Sequence, residues 1–155
     1  MEKIEHASIN GVEVHNLVEQ DCEEDILYNG DIYLDGKQIG SFSERLDKPM
    51  ELDVPATYQS VLRSRQQDYL EAVADEGEKL DGEVFFLDLI ELERYLQMFE
   101  RGKEEGCACL LVNYTADGVD IFNVEKEEDV EEIVKEEGFE EFQVFSEYDH
   151  FVINC

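Results

Sequence analysis

The chain has 155 residues, of which 41 are Asp or Glu and 12 are Lys or Arg, so its formal net charge is -29 at pH 7. Proteins that bind nucleic acid neutralise phosphates with clustered Lys and Arg, so this balance excludes direct nucleic-acid binding and disfavours an anionic membrane surface. The 43% share of hydrophobic residues is sufficient for a packed interior. The length predicts one compact domain over residues 1–155, or a β-hairpin part over 1–54 followed by an α+β part over 55–155.

The excess of negative charge has an energetic cost. For a globule of this length, Coulomb's law in screened water gives a total self-repulsion on the order of 10 kcal/mol. That is comparable to the entire net stability of a domain, about 5–15 kcal/mol. The composition therefore indicates selection for negative charge or an unusual solvent.

Three features predict a cytoplasmic protein. No run of about 18 apolar residues is present, so no transmembrane helix is expected. The first six residues, MEKIEH, lack the basic-then-apolar pattern of a signal peptide. In a reducing compartment cysteines stay free, and the chain has four of them: Cys22, Cys107, Cys109 and Cys155.

The N-terminal third predicts two β hairpins. Each contains a dipeptide typical of a type I′ turn, Asn-Gly in the first and Asp-Gly in the second, between β-prone segments. The first hairpin joins residues 4–9 to 12–17, and the second joins residues 31–34 to 37–42. The acidic stretch between them, Glu19–Asp25, is interpreted as a loop.

Helical spacing of apolar residues predicts a first long helix over Ala56–Glu76, directly after Pro55. Arg65 falls within the apolar stripe, where it extends to solvent or pairs with a carboxylate. The residues expected on the inner face are Tyr58, Val61, Leu62, Tyr69 and Val73.

A second long helix is predicted from an Asp88 cap to about Lys103. The segment before it, Glu83–Phe86, is interpreted as a short strand. Ile90 falls on the side of this helix opposite the inner face, where it is exposed or forms a second contact. The inner face is expected to hold Leu92, Tyr95, Leu96 and Phe99.

The last third predicts strand, turn, strand, short helix and a final hairpin. Gly138 is the expected C-cap of the short helix. The segments are the strand Cys107–Tyr114, the turn Asp117-Gly118, the strand Val119–Val124, the helix Asp129–Glu137 and the hairpin of Gln143–Phe145 with Phe151–Ile153. The predicted class is α+β, a mainly antiparallel sheet built from β hairpins and covered by two longer helices and one short helix.

No motif in the chain specifies a reaction. There is no P-loop, GxGxxG, GxSxG or EF-hand loop. Cys107 and Cys109 share one face of a predicted strand, but the chain has no second ligand pair for zinc at matching spacing. His6, His15 and His150 are scattered in the sequence, so no general base can be assigned. We therefore expect no catalytic residue, no metal site and no cofactor, and a protein that is not an enzyme.

Clustered acidic residues are the strongest functional lead. Glu128, Glu132 and Glu136 recur every four residues, about 6 Å along a helix, which is nearly twice the 3.4 Å axial spacing of phosphates in one DNA strand. Only Lys126 and Lys135 offset them. Helix C-termini favour cations, yet acidic residues lie at the end of the first long helix. The predicted partner-binding residues are Glu128, Glu132 and Glu136, then Glu71, Asp75, Glu76 and Glu78, then Glu23, Glu24 and Asp25.

In its size, charge, compartment and absence of catalytic motifs, the chain resembles the small acidic DNA-mimic proteins that phages and mobile elements use against host defence, including anti-restriction and anti-CRISPR proteins. The segment GDIYLDGKQIG, residues 30–40, also resembles short bacterial and phage proteins. The resemblance implies a non-catalytic inhibitor in the bacterial cytoplasm. Its implied partner is a basic nucleic-acid-binding protein, most plausibly a CRISPR effector nuclease, and aromatic or aliphatic anchors would supply much of the affinity.

Three alternatives remain open at this point. An adaptor or immunity-type module would bind a basic partner without displacing DNA. A carboxylate-based or cation-dependent enzyme would need a cleft with a desolvated acid pair and would lose activity in a single Asp or Glu variant. A protein adapted to high salt would fail to fold at low ionic strength.

Overall fold

The sequence folds into nine β-strands and three α-helices across the residues that the computed structural model describes, 3–155. The α+β class is confirmed. The strands are β1 (Ser8–Ile9), β2 (Val12–Cys22), β3 (Asp25–Leu34), β4 (Lys37–Arg45), β5 (Lys48–Asp53), β6 (Cys109–Thr115), β7 (Gly118–Val124), β8 (Phe142–Phe145) and β9 (Val152–Ile153). The helices are α1 (Ala56–Val73), α2 (Gly82–Glu104) and α3 (Val130–Glu137), with 3-10 turns at Glu127–Asp129 and Tyr148–Phe151.

The strands form two sheets. The larger has six strands in the order β5-β4-β3-β2-β1-β9, and the smaller has three in the order β7-β6-β8. Neighbouring strands are antiparallel except β1 and β9, which are parallel. No helix within residues 3–155 is both long enough and apolar enough to cross a membrane.

Tertiary contacts divide the chain into two compact units, and the boundary between Glu93 and Arg94 lies inside α2. The six-stranded unit comprises residues 5–93 and 152–155. Its buried residues include Val14, Ile32 and Phe86. The three-stranded unit comprises residues 94–151 with the described residues before position 5, and Leu110 and Phe145 are among its buried residues.

Local turn chemistry sets the two N-terminal hairpins. Asn10 and Gly11 connect β1 to β2, and Asp35 and Gly36 connect β3 to β4. All four residues have positive φ, between 50° and 86°, which a type I′ turn requires. Both predicted hairpins are confirmed.

The prediction of a loop over Glu19–Asp25 was wrong. Strands β2 and β3 continue through it in regular register, from Val18 opposite Asn29 to Cys22 opposite Asp25. Only Glu23 and Glu24 form the turn, with Glu23 at φ 57°. Main-chain pairing to a neighbouring strand maintains extended structure in acidic residues whose own β-propensity is low, and the residues alone do not reveal that neighbour.

Helix α1 is confirmed, but its inner face differs from the prediction. Its buried residues are Leu62, Tyr69 and Leu70, whereas Val61 and Val73 are 43% and 45% exposed. Each residue advances the helix by about 100°, so a face centred on Leu62 and Tyr69 turns Val61 toward solvent. The helix ends at Val73, three residues early, because Ala74 is extended.

Arg65 connects α1 to two hairpin turns of the six-stranded unit, those between β1 and β2 and between β3 and β4. Its Nη1 donates to the carbonyl oxygen of Asn10 at 2.5 Å, and Nη1 and Nη2 reach the two oxygens of Asp35 at 3.1 and 2.9 Å. Asn10 Nδ2 donates in return to the carbonyl oxygen of Arg65 at 3.0 Å. Of the two expectations for Arg65, pairing with a carboxylate is the one observed, and the Arg65 hydrogen bond lowers the pKa of Asp35.

Helix α2 begins six residues earlier than predicted. The predicted strand Glu83–Phe86 was wrong, because this segment forms the start of the helix. The predicted cap at Asp88 was also wrong, because Asp88 lies inside the helix. Asp81 Oδ1 accepts the backbone N–H of Glu83 at 3.1 Å and so occupies the position of the cap. A short apolar run does not distinguish a strand from a buried helical turn.

The predicted inner face of α2 is confirmed, since Leu92, Tyr95, Leu96 and Phe99 are all buried. Ile90 is also buried, at 2% exposure. Of the two expectations for Ile90, a second contact is therefore the one observed.

In the last third, the C-cap at Gly138, with φ 69°, is confirmed. The turn between β6 and β7 lies at Ala116 and Asp117, one residue earlier than predicted, because Gly118 already pairs with Thr115 as the first residue of β7. The final hairpin was wrong. Strand β8 pairs with β6 in the smaller sheet, whereas β9 pairs with β1 in the larger one, and a 3-10 turn separates them. Two short apolar segments close in sequence predict a hairpin locally, but their partners lie far away in the chain.

We expect Arg65→Met to lower the free energy of unfolding by about 1–2 kcal/mol, because it leaves the carbonyl of the buried Asn10 without its donor. Arg63→Met is the matched control, since it removes the same charge from an exposed position of α1. Urea denaturation of both variants measures the effect. Equal losses for the two would show that the net charge, rather than this contact, is responsible.

Candidate partner-binding surface

All ten of the predicted partner-binding residues are exposed to solvent. They lie in three places, which we name by position. The tip cluster is Glu23, Glu24 and Asp25, the α1-end cluster is Glu71, Asp75, Glu76 and Glu78, and the α3 cluster is Glu128, Glu132 and Glu136. The first two belong to the six-stranded unit and the third to the three-stranded unit.

The α3 cluster is positioned by an amphipathic helix. Val130 is buried, with Ile133 and Val134 partly buried beside it against a small core containing Leu111. The expected row of three glutamates on one helix was wrong, because Glu128 belongs to the preceding 3-10 turn. Only Glu132 and Glu136 share α3, four residues and therefore about 6 Å apart.

Most of the α1-end cluster lies beyond the helix. Glu71 is in its last turn and accepts a hydrogen bond from Gln67 Nε2 at 3.0 Å. Asp75, Glu76 and Glu78 follow the end at Val73, and Glu78 Oε1 lies 3.4 Å from the backbone N of Asp75. Negative charge thus accumulates at the C-terminus of α1, where the helix dipole disfavours it.

The tip cluster is at the end of the β2–β3 hairpin. Glu23 and Glu24 form the turn, and Asp25 is the first residue of β3. Glu19 and Asp21 on β2 are also exposed. The hairpin therefore presents a group of carboxylates at its end.

The ten carboxylates have no internal counterion among the described residues 3–155. The ion pairs of Arg45 with Glu51 and of Arg65 with Asp35 involve none of them. Between Glu125 and Glu141, ten of the seventeen residues are acidic and only Lys126 and Lys135 are basic. The negative field of the α3 cluster is consequently offset only in small part by nearby cations.

An apolar groove beside the α3 cluster was not predicted from the sequence. It has a volume of about 390 Å³ and is lined by Val130, Glu131, Val134, Lys135 and Phe142. Phe142 is 42% exposed, a large fraction for a phenylalanine in a strand. The apolar pattern of α3 and β8 was visible, but the space between them depends on how the two elements pack.

The structure places His6 and His15 together, although their sequence positions gave no reason to pair them. Their rings stack at 3.6 Å, and His15 stacks on Tyr33 at 3.7 Å. His6 Nδ1 lies 2.8 Å from Glu93 Oε2, and Glu93 Oε1 accepts the backbone N–H of Ala7 at 2.9 Å. Glu93 lies on α2 and is buried. Its contacts with His6 and Ala7 hold the segment that leads into β1.

Two carboxyl groups of α2 have pKa values raised by burial, Asp88 and Glu93. Tyr69 Oη donates to Asp88 at 2.7 Å, while His6 and Ala7 bind Glu93 and partly oppose the rise of its pKa. Burial also raises the pKa of Tyr69. Because protein groups already occupy these carboxylates, both act as anchors between elements of the six-stranded unit.

Three exposed residues could contribute to cation binding. Glu147, Asp149 and His150 each place one ligand atom within 4.8 Å of the others. His150 Nδ1 accepts the backbone N–H of Ser146 at 3.1 Å, which leaves Nε2 for a ligand. Exposed acidic groups in such proximity are common on protein surfaces, so the arrangement does not identify a metal site.

Comparison with known proteins returns no assignment. The chain matches no protein-family model, no curated protein and no solved structure.

We expect the stability contribution of Glu93 to depend on pH. Its folded-state pKa is raised by burial, so the folded protein binds this proton more tightly than the unfolded chain. The contribution is complete below the ordinary glutamate pKa and is lost as pH rises through the folded value. The unfolding free energy of wild type minus that of Glu93→Gln should therefore be more positive at pH 5 than at pH 8.

Urea titrations at the two pH values measure this difference. Glu104→Gln, at an exposed position of the same helix, is the control and should show no comparable pH dependence. If wild type instead became more stable relative to Glu93→Gln as pH rises, the result would contradict a raised pKa for Glu93.

Proposed function

We propose that this protein is a non-catalytic inhibitor whose acidic surface mimics the DNA backbone and occupies the basic nucleic-acid-binding groove of a host defence enzyme, first among them a CRISPR effector nuclease. The observation that carries the proposal is the group of ten exposed carboxylates in three clusters, none of which has an internal counterion within residues 3–155. Surface charges that serve only solubility usually alternate in sign.

The spacing on α3 supports this interpretation. Glu132 and Glu136 lie about one helical turn, or 6 Å, apart, and Glu128 extends the acidic surface into the preceding 3-10 turn. Lys and Arg side chains that bind successive phosphates can bind carboxylates at such separations, because both are anions that accept charge-assisted hydrogen bonds.

The placement of the α1-end cluster supports it as well. Carboxylates at a helix C-terminus each cost a few tenths of a kcal/mol. Glu71, in the last turn of α1, therefore disfavours the helix locally, and Asp75, Glu76 and Glu78 add negative charge directly after its end. Local rules that are broken without compensation concentrate at functional surfaces.

Long-range attraction would give such an inhibitor a kinetic advantage. A strongly negative protein and a basic groove attract one another before contact, which raises the association rate by up to about 10³-fold at low salt. The same groove attracts DNA through the same field, so inhibitor and DNA compete for one site.

The proposal predicts competition with duplex DNA. Increasing amounts of the protein should release a fluorescently labelled duplex from a CRISPR effector nuclease loaded with its guide, as measured by anisotropy. The apparent affinity should fall steeply with NaCl concentration, because the interaction is ionic. Restriction endonucleases form a second panel of basic DNA-binding proteins.

The variant Glu128→Gln/Glu132→Gln/Glu136→Gln should weaken competition about tenfold, equivalent to about 1.4 kcal/mol. Glu104→Gln/Glu105→Gln/Glu147→Gln is the control matched in charge, taken from exposed carboxylates outside the three clusters. Binding to the nuclease without release of DNA would support the adaptor alternative instead. Equal effects of the two triple variants would contradict a role for the α3 cluster.

A further inference from the structure

The groove between α3 and β8 is a small apolar site within an acidic surface. Val130, Glu131, Val134 and Lys135 line it from the helix, and Phe142 lines it from the start of β8, so its floor is apolar and its helix side carries one charge of each sign. Its volume of about 390 Å³ is sufficient for one large aliphatic or aromatic side chain. Exposed apolar surface of this kind, bordered by charged residues, is typical of a protein–protein contact.

Strand β8 offers main-chain groups beside this groove. It is the outer strand of the three-stranded sheet, in the order β7-β6-β8. The backbone N–H of Tyr114 donates to the carbonyl of Glu141 at 2.8 Å, and Gln143 lies opposite Val112 in the same register. Glu141 and Gln143 therefore occupy hydrogen-bonded positions of the antiparallel ladder, and such positions alternate along a strand. The backbone N–H and C=O groups of Phe142 and Val144 consequently point away from β6.

The charge around the groove determines which partner fits. Glu127, Glu128 and Glu131 lie at the N-terminal end of α3, while Glu140 and Glu141 directly precede Phe142. A second copy of this chain would bring the same anions against them, with a net charge of -29 on each molecule. A segment that carries Lys or Arg on both sides of an apolar residue is complementary to both features.

We infer that an extended basic segment of the partner adds to the free edge of β8 and inserts one apolar side chain into the groove between α3 and β8. Main-chain hydrogen bonds to Phe142 and Val144 would hold the segment, the groove would select the apolar residue, and the surrounding glutamates would select its basic neighbours. The inference rests on the proposed function for the nature of the partner, and it adds the apolar anchor that charge alone does not provide.

The test uses a defined probe, the nine-residue peptide acetyl-KRKVLVKRK-amide, with the full-length protein. Heteronuclear NMR should show the largest shift changes at the amides of Phe142, Val144 and residues 130–135. Calorimetry should show that Phe142→Ala weakens binding about tenfold or more, as expected for a central anchor. Replacing the central apolar triplet of the peptide with Ser-Gly-Ser should have a comparable effect.

Two further variants separate the anchor from the strand edge and from general surface effects. Val119→Ala, on β7 at the opposite edge of the same sheet, removes a similarly exposed apolar group and should leave affinity within twofold. Phe142→Pro also removes the outward N–H, which β6 does not use, and should bind more weakly than Phe142→Ala. Thermal melts of each variant confirm that it is folded.

The outcomes distinguish this inference from the proposed function. Peptide binding that is insensitive to Phe142→Ala, or shift changes confined to the tip or α1-end cluster, would overturn the inference while DNA competition could still stand. Sedimentation that shows a dimer dissociated by Phe142→Ala would also overturn it, because a second copy would then occupy the groove. Peptide binding as expected, with no release of DNA from any nuclease, would instead contradict the proposed function.

Discussion

Mutual repulsion among 29 uncompensated negative charges is the constraint under which the rest of this structure forms. The repulsion costs on the order of 10 kcal/mol. A buried apolar core and a few specific polar contacts offset it. Arg65 holds two hairpin turns to α1, and Glu93 holds the start of β1 to α2 through His6 and Ala7. The polar groups that stabilise the fold are thus separate from the ten carboxylates that face solvent.

Elements encoded by local chemistry were predictable from the sequence, whereas those that depend on distant partners were not. The Asn10-Gly11 turn requires positive φ at both residues, and few residue types permit it. In contrast, β9 pairs with β1 across more than 140 residues, and no local signal specifies that choice. The start of α2 was predicted wrongly for a related reason, because the short apolar run Val84–Phe86 is compatible with either a helix or a strand.

The same division holds for the candidate surface. Exposure of Glu132 and Glu136 follows from charge and helical period, so the sequence was sufficient for it. The groove at Phe142 arises where α3 crosses the sheet beside β8, and its existence depends on tertiary packing. Charge supplies attraction and orientation, and the groove supplies the apolar contact on which tight protein interfaces depend.

The ten clustered carboxylates should oppose folding if they are retained for a partner. Urea denaturation of a variant with all ten replaced by the matching amides, compared with wild type at 20 mM and 500 mM NaCl, tests this most directly. The account predicts that the variant is more stable at low salt and that its advantage shrinks at high salt, as screening removes the repulsion. A variant less stable than wild type at both salt concentrations would show that these acids maintain the fold, and it would contradict the account.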